Sequence, residues 1–368
     1  MENIKKNFGF GFMRLPMIGE DVDLELTTRM VDTFMEAGFN YFDTAHGYLN
    51  GKSELALRHS LTSRYPRESY VLTNKLSGNF FKTEADILPV FEEQLAACGV
   101  EYFDFYLMHA LSRNNFQQYK DCKAYETILA LKEAGRIRHL GMSFHDTADV
   151  LDQILTECPL VEVVQLQFNY LDFDDESVQA RACWEVCRKH GKPVIVMEPV
   201  RGGSLVNLPE QAQAILDQLQ GGSNASYAIR FAASFEGIMM VLSGMSNLEM
   251  VVENCGYMKS FQPLTAEEHE AITKVRDYFK SQNLIPCTDC RYCTEVCPQG
   301  VKIPQLFGCL NSKKRFNSWT ADLRYSNIVK ESAGPAECVK CGLCENACPQ
   351  HLQIRDLLED VAAQFEKK

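Results

Sequence analysis

Four side chains suited to acid–base chemistry stand at the ends of three successive predicted strands. Asp43 and Tyr48 bound the segment Asp-Thr-Ala-His-Gly-Tyr, which follows the apolar-flanked run 39–42. Lys75 ends the next predicted strand, and His109 ends the one after it. Because the carboxyl ends of parallel strands meet at one face of an α/β barrel, we expect these side chains to converge there. Any one of them alone is more typical of a turn, a helix cap or a buried polar residue, so the hypothesis depends on all four.

The second set of reactive residues is a repeated cysteine motif, Cys-x2-Cys-x2-Cys-x3-Cys-Pro. Eight of the 15 cysteines belong to its two copies, and the other seven are scattered and fit ordinary buried positions. This motif is typical of bacterial ferredoxins, in which the fourth cysteine of one copy binds the other cluster. It predicts two [4Fe–4S] clusters, the first held by Cys287, Cys290, Cys293 and Cys348, the second by Cys338, Cys341, Cys344 and Cys297. Zinc is the alternative, but zinc ribbons pair two Cys-x2-Cys knuckles and do not repeat a four-cysteine run.

Two clusters in a small domain indicate an electron-carrying function, since each cluster moves electrons singly. A structural function is the alternative, because this segment has few large apolar residues to build a core.

Helical and extended patterns alternate regularly along the chain before the cysteine motifs, and this alternation predicts a parallel sheet. Eight predicted strands favour closure into a (β/α)8 TIM barrel. An open doubly wound sheet would also alternate, but no Gly-x-Gly-x-x-Gly follows the first strand. The predicted strands are 8–15, 40–44, 70–75, 103–109, 137–143, 161–168, 193–198 and 238–243. The predicted helices of this region are 23–37, 53–63, 84–98, 119–134, 148–157, 175–190, 209–219, 225–236 and 247–257.

The change of pattern after Pro263 predicts the domain boundaries. We expect a barrel over residues 1–262, a linking segment over 263–284 that contains a helix at 266–281, and a small α-helical cluster domain over 285–368. Each cysteine motif precedes a further predicted helix, 303–311 and 354–365, and a polar, weakly periodic stretch lies between the motifs.

Composition narrows the class of protein. The chain has 368 residues, 46% of them hydrophobic, and a formal net charge of -12. An acidic protein is a poor partner for nucleic acid, and no run is long and apolar enough for a membrane span. The first residues contain no signal-peptide core, so we expect a cytoplasmic protein with reduced cysteines.

Residues 5–260 resemble the aldo-keto reductase family through Asp43-Thr-Ala-His-Gly-Tyr48, Asn74-Lys75-Leu76 and Leu107-Met108-His109. The resemblance implies that Asp43, Tyr48, Lys75 and His109 form a catalytic tetrad. A phenol near pKa 10 is a poor acid, so we expect the Lys75 ammonium to stabilise the Tyr48 anion while Asp43 holds Lys75. Tyr48 would then donate a proton to a carbonyl oxygen as hydride arrives, and His109 would hydrogen-bond that oxygen.

The resemblance also implies NADP or NAD binding, with NADP favoured. Ser143, Gln167 and Asn254 fall where the family contacts the nicotinamide amide and the adenine end. The loop Arg201-Gly202-Gly203 offers backbone N–H groups and a charge for the pyrophosphate, and Ser243-Gly244-Met245-Ser246, at a helix start, suits an anion. Two departures from the family pattern concern nucleotide binding. Met197 replaces the aromatic residue that commonly stacks on nicotinamide. Gly244 and Met250 stand where many members place the lysine and arginine that bind the 2′-phosphate.

The whole chain resembles a branch of aldo-keto reductases that carries a C-terminal ferredoxin-like domain with two [4Fe–4S] clusters. This implies hydride transfer between NAD(P)(H) and a carbonyl or alcohol substrate, with the clusters linked to a ferredoxin or flavoprotein partner. Because nicotinamide moves electrons in pairs, a flavin would have to split them, although the sequence contains no signal for a flavin site. The alternatives are an electron-transfer or redox-sensing subunit with a retained barrel, and a nucleotide-dependent enzyme acting on a non-carbonyl bond.

Overall fold

The computed structural model describes residues 3–175, 178–282, 284–316 and 319–366. The chain folds into two compact units. One contains the chain through Asp175, then Gln179–Pro199 and Ala225–Thr265; the other contains Val200–Asn224 and the chain from Ala266 onward. The sequence analysis assigned residues 200–224 to the barrel domain, whereas their packing places them in the second unit. No helix among the described residues is long and apolar enough to cross a membrane.

The first unit is a closed barrel of eight parallel strands, which confirms the predicted fold class. Each strand pairs with the next in sequence, and the last pairs with the first. Hydrophobic runs with β-branched and aromatic residues form these strands because both faces are buried. The strands are Phe8–Gly11, Tyr41–Asp43, Val71–Ser77, Phe103–Leu111, Ile137–Phe144, Val163–Gln167, Val194–Met197 and Ile238–Gly244.

The helices between the strands agree with the sequence pattern except at a few ends. The predicted helix 119–134 is two helices, because Lys123 adopts a positive φ of 49° between them. The first strand ends at Gly11, and a short antiparallel hairpin pairs Met17–Ile18 with Asp21–Val22. The predicted helix 175–190 includes residues 176 and 177, which lie outside the described residues. The helices are Leu24–Glu36, Lys52–Leu57, Glu84–Cys98, Phe116–Asp121, Ala124–Glu133, Ala148–Glu157, Ala180–Lys189, Asn224–Ala233 and Leu248–Lys259.

Large side chains fill the barrel interior, and two glycines make room for them. An added Cβ on Gly141 would lie 2.4 Å from Leu107 Cδ2 and 2.6 Å from Val163 Cγ1. One on Gly9 would lie 2.7 Å from Leu242 Cδ2. The interior cluster consists of Tyr41, Val71, Phe105, Leu107, Val163, Ile195, Met240 and Leu242. The barrel is therefore a packed core, and its site must lie at the strand ends.

The second unit is helical. Its core is a cluster of aliphatic and aromatic side chains that includes Phe307, Tyr325 and Leu358, and Cys293, Cys344 and Cys348 are buried in the same cluster. The polar stretch between the cysteine motifs contains a helix that the sequence analysis did not predict, because its apolar residues are few and weakly periodic. The helices are Glu210–Leu216, Ala266–Ser281, Tyr292–Glu295, Ile303–Phe316, Trp319–Glu331, Leu343–Asn346 and Ile354–Phe365.

Candidate active site and cysteine clusters

A buried ion pair between Asp43 and Lys75 lies at the carboxyl ends of the second and third barrel strands. Lys75 Nζ is 2.7 Å from Asp43 Oδ1, donates to the Thr44 carbonyl at 2.7 Å, and lies 3.4 Å from the Tyr48 hydroxyl. Lys75 is fully buried and Asp43 is 4% exposed, whereas Tyr48 is partly exposed. Three oxygen atoms thus fix the position of the ammonium, and of the three groups that carry them only the phenol is partly exposed to solvent. The structure therefore brings three of the four predicted catalytic residues together.

His109, the fourth, stands beside the phenol. Its ring centroid is 5.9 Å from that of Tyr48, and the two rings are tilted by 74°. The Ser77 hydroxyl lies 2.5 Å from His109 Nδ1, which leaves Nε2 as the nitrogen that can face a substrate. Sequence reasoning missed Ser77, but the signal was present: it is two residues after Lys75 on one strand, and alternate strand residues point to the same side.

Gln165 is a second partner that the sequence analysis missed. Its side-chain amide donates to Asp43 Oδ2 at 3.2 Å from the sixth barrel strand, and the contact is buried. The Gln165 amide, a neutral donor, therefore binds the carboxylate oxygen of Asp43 that does not contact Lys75. The two amides of the run Val163–Gln167, Gln165 and Gln167, could have signalled this, since buried polar groups need partners.

Behind Lys75, a chain of buried polar contacts supports its backbone. Asn74 Oδ1 accepts from the Lys75 backbone N–H at 2.8 Å, and Gln94 donates to the Lys75 carbonyl at 2.9 Å. Asn74 in turn donates to Glu54 Oε1 at 2.7 Å, and Glu54 Oε2 lies 2.8 Å from His46 Nδ1. These contacts fix the strand that carries the ammonium.

Burial is the main influence on the hydroxyl of Tyr48. Burial raises the pKa of Tyr48 well above its usual value near 10, and the negative charges of Asp43 and Glu198 add to the shift while Arg14 opposes it. Burial is thus the largest influence on this phenol, while the Lys75 ammonium, 3.4 Å from its hydroxyl, is placed to stabilise the anion.

Burial is also the largest influence on the pKa of Asp43, Lys75 and His109. It raises the pKa of Asp43 and lowers the pKa of Lys75, and in each case the charge of the partner opposes the shift. It lowers the pKa of His109 well below 6.5, and the charges of Lys75 and His145 add to that effect. His109 is therefore a neutral imidazole and Tyr48 a neutral phenol at ordinary pH.

Four of the predicted nucleotide-binding residues carry polar side chains at the ends of barrel strands or on the last barrel helix: Ser143, Gln167, Ser243 and Asn254. Ser143 Oγ accepts from the Ala110 backbone N–H at 2.7 Å, and Gln167 donates to Asp172 Oδ2 at 2.6 Å. Asn254 donates to Ser243 Oγ at 3.4 Å. All four are buried polar side chains.

Gly244 ends the eighth strand, and Met245 and Ser246 follow it before the helix Leu248–Lys259, whose first turn is capped by the side chain of Asn247. The Arg14 side chain covers Gly244, with its Cβ, Cγ and Cδ 3.2–3.3 Å from the position of an added Cβ. The sequence analysis missed Arg14, which comes from a loop after the first strand and whose guanidinium lies 3.5 Å from Glu198 Oε1.

Arg201, Gly202 and Gly203 belong to the second unit. Arg201 is 7% exposed, and its guanidinium donates to the Pro286 carbonyl at 3.0 Å. The structure therefore places these three predicted nucleotide-binding residues beside the first cysteine motif.

The eight motif cysteines surround two cavities. One is lined by Cys287, Cys290, Cys293 and Cys348, together with Thr288, Ile303, Pro304, Phe307, Gln350, Leu352 and Ile354. The other is lined by Cys297, Cys338, Cys341 and Cys344, together with Pro298, Gln299, Val301, Ile303, Val339, Gly342 and Leu358. Each cavity thus takes three cysteines from one motif and one from the other. Within the described residues, no three His, Cys, Asp or Glu side chains lie close enough together to bind a single metal ion.

Backbone N–H groups are directed at the sulfurs of these cavities, which suits an iron–sulfur cluster because such clusters are tuned by hydrogen bonds to sulfur. Burial raises the pKa of Cys348, and the backbone N–H groups of Leu352, Gln350 and His351 oppose this. Burial raises the pKa of Cys287 to about 11, with the Asp289 N–H and the Arg201 charge acting in the opposite direction. Thiols in such surroundings need a cation to become thiolates.

Both parts of the chain match known protein families. The family model described as "Aldo/keto reductase family" matches residues 7–277, and that described as "4Fe-4S dicluster domain" matches residues 286–353. An uncharacterized oxidoreductase of Schizosaccharomyces pombe is 26% identical over 264 residues, covering 68% of this chain and 81% of that protein. The NADH-specific methylglyoxal reductase of Escherichia coli is 28% identical over 231 residues, covering 57% of this chain and 66% of that protein.

Solved structures share the barrel fold. An aldo-keto reductase from Bacillus halodurans in its holo form has a TM-score of 0.61 at 24% identity, covering 73% of this chain and 91% of its own. An aldo-keto reductase from Klebsiella pneumoniae in complex with NADPH has a TM-score of 0.60 at 17% identity, covering 73% of this chain and 90% of its own.

Proposed function

The chain belongs to the aldo/keto reductase family and carries an iron–sulfur domain, and from that premise we propose that it reduces a carbonyl group to an alcohol with a nicotinamide dinucleotide. The observation that carries the proposal is the position of Lys75 Nζ, 2.7 Å from Asp43 Oδ1 and 3.4 Å from the hydroxyl of the partly exposed Tyr48.

The bound dinucleotide supplies the hydride. Tyr48 donates the proton to the carbonyl oxygen, and the Lys75 ammonium, 3.4 Å from its hydroxyl, stabilises the phenolate that remains. The same phenolate would accept the proton in the reverse reaction, the oxidation of an alcohol. His109, neutral because of its lowered pKa, donates a hydrogen bond from Nε2 to the same oxygen.

The nucleotide has suitable partners in this chain. Ser143, Gln167 and Asn254 supply buried hydroxyl and amide groups, and the segment Ser243–Ser246 precedes a helix N-terminus that suits a phosphate. The stem of Arg14 lies against Gly244, and its guanidinium, 3.5 Å from Glu198 Oε1, is the cation that we propose for a nucleotide phosphate. We favour NADP for this reason; one similar structure holds NADPH, and one relative is NADH-specific.

For the second unit, we propose that the eight motif cysteines hold two [4Fe–4S] clusters, one in each cavity. Bound clusters supply single-electron transfer to a ferredoxin or flavoprotein partner. The cysteines and the backbone N–H groups around them hold and polarise the clusters.

The test is anaerobic purification followed by three measurements: iron and sulfide content, nucleotide binding, and turnover of an aldehyde and ketone panel with NADPH and NADH. Tyr48→Phe should retain nucleotide binding and lose about 10²- to 10⁴-fold in turnover, the usual contribution of a general acid. An unchanged turnover in Tyr48→Phe would instead support a barrel retained as scaffold. Substrate conversion without net change in the nucleotide would favour a reaction at a non-carbonyl bond.

A further inference from the structure

The segment 200–203 contacts both sides of Cys287, the first cysteine of the first motif. On one side, Arg201 donates from its guanidinium to the Pro286 carbonyl at 3.0 Å. On the other, Gly202 lies against Thr288 so closely that an added Cβ would be 2.2 Å from the Thr288 carbonyl oxygen. Cys287 and Thr288 line the cavity that contains Cys290, Cys293 and Cys348.

The backbone of this segment is shaped for that contact. Arg201, Gly202 and Gly203 all have positive φ angles, of 50°, 62° and 91°. A positive φ costs a non-glycine residue free energy, so the surrounding contacts must hold Arg201 in this conformation. Its side chain is 7% exposed, and its guanidinium is held 3.0 Å from the carbonyl of Pro286, the residue before Cys287.

We propose that Arg201 positions the Cys287 segment and raises the reduction potential of the cluster in the Cys287–Cys348 cavity. A reduced cluster carries one more negative charge than an oxidised one, and a buried cation nearby stabilises the more negative state. Arg201 does so while its hydrogen bond to Pro286 fixes the segment that carries the first ligand. The inference rests on the proposed function, because it requires a cluster in that cavity.

The first experiment compares Arg201→Gln with wild type in an anaerobic redox titration followed by electron paramagnetic resonance. Wild type should contain about eight iron and eight sulfide ions per chain. In Arg201→Gln, one cluster should titrate at a lower potential and the other at the wild-type potential. Arg201→Lys, which keeps the charge, should restore part of the shift.

The matched control is Lys274→Gln. Lys274 lies in the same unit but is paired with Glu270 at 2.8 Å, and its side chain is 60% exposed. Because its charge is screened and offset, its removal should leave the potential of the Cys287–Cys348 cluster unchanged. Repeating the titration with Cys341→Ser, which alters the signal of the other cluster, identifies the cluster that Arg201 affects.

A second pair of variants tests the positioning role. Gly202→Ala and Gly203→Ala both place a side chain at a positive φ, but an added Cβ at Gly203 meets nothing within 4 Å. Gly202→Ala should therefore lower iron content or broaden the signal of one cluster, and Gly203→Ala should not.

The outcomes separate the inference from its premise. If wild type lacks the two clusters, the proposed function of the cysteines fails. If wild type holds both clusters and Arg201→Gln leaves both potentials unchanged, the inference fails. A loss of nucleotide binding in Arg201→Gln with unaltered cluster potentials would also overturn it and assign the residue to the dinucleotide. Loss of one cluster in Arg201→Gln but not in Arg201→Lys supports it.

Discussion

The Ser77 hydroxyl lies 2.5 Å from Nδ1 of His109, on the side of the ring away from the position proposed for substrate. If Ser77 donates to Nδ1, the imidazole proton stands on Nε2, where it can donate to a carbonyl oxygen. Ser77 is thus a positioning residue, whose effect reaches the substrate through His109.

Ser77→Ala should lower kcat/KM by up to about tenfold, the worth of one hydrogen bond, mainly through kcat. Ser77→Thr keeps a hydroxyl and should restore most of the activity. Nitrogen chemical shifts of the His109 ring should show a mixture of tautomers in Ser77→Ala and one tautomer in wild type. A single tautomer in both proteins would contradict this role.

The buried pair of Lys75 and Asp43 should make single replacements more harmful to stability than a double one. Lys75→Met leaves a buried carboxylate without its cation and should cost about 3–5 kcal/mol of unfolding free energy. The double variant Asp43→Asn with Lys75→Met removes both charges and should recover much of that loss, while turnover stays absent. Denaturant unfolding of the three variants measures this, and additive losses would argue against the coupling.

His109 should make stability depend on acid pH. Its pKa in the folded chain is well below the 6.5 expected for an unfolded chain, so below pH 6.5 the unfolded state binds a proton that the folded state does not. Stability should therefore fall as pH drops from about 6.5, and His109→Gln should reduce that fall. Thermal unfolding measured from pH 8 to pH 5 tests this dependence. An equal change of stability with pH in the variant and in wild type would refute it.

His46 should have the opposite dependence. Its pKa is raised, chiefly by the hydrogen bond to Glu54, which lies 2.8 Å away. Its contribution is fully present below pH 6.5 and is lost as pH rises through the folded-state value. His46→Gln should thus destabilise more at pH 5.5 than at pH 8.5. The exposed His59 offers a matched control, since His59→Gln should change the unfolding free energy by less than about 0.5 kcal/mol.

Removal of iron should unfold much of the second unit. Cys293, Cys344 and Cys348 are buried in one cluster with Phe307 and Leu358, so empty cysteine cavities would leave that core without its centre. Anaerobic chelation should lower the helical circular dichroism signal and expose the chain after Ala266 to proteolysis. Cys309→Ala, a change at a buried cysteine outside both motifs, should retain iron. A protease-resistant iron-free protein would contradict the prediction.

Some features of this chain follow from local sequence alone. The bounds Glu84–Cys98 and Ala266–Ser281 agree with the sequence pattern, because apolar spacing and capping residues act within a helix. The cysteine motifs are equally local, since three cysteines at two-residue spacing are confined to one loop. The helix Trp319–Glu331 was missed because tertiary packing stabilises it where its periodicity is weak.

The sequence by itself determined the barrel, the cysteine motifs and which side chains end which strand, since these depend on spacing along the chain. Only the tertiary structure decided that Gln165 reaches Asp43, that Ser77 faces His109, and that Arg201 lies against Pro286. It also decided that burial raises the pKa of Tyr48, because the pKa of a buried group depends on every charge and on the solvent removed around it. Such contacts join residues up to 122 positions apart, as Gln165 and Asp43 are, and no local pattern records them.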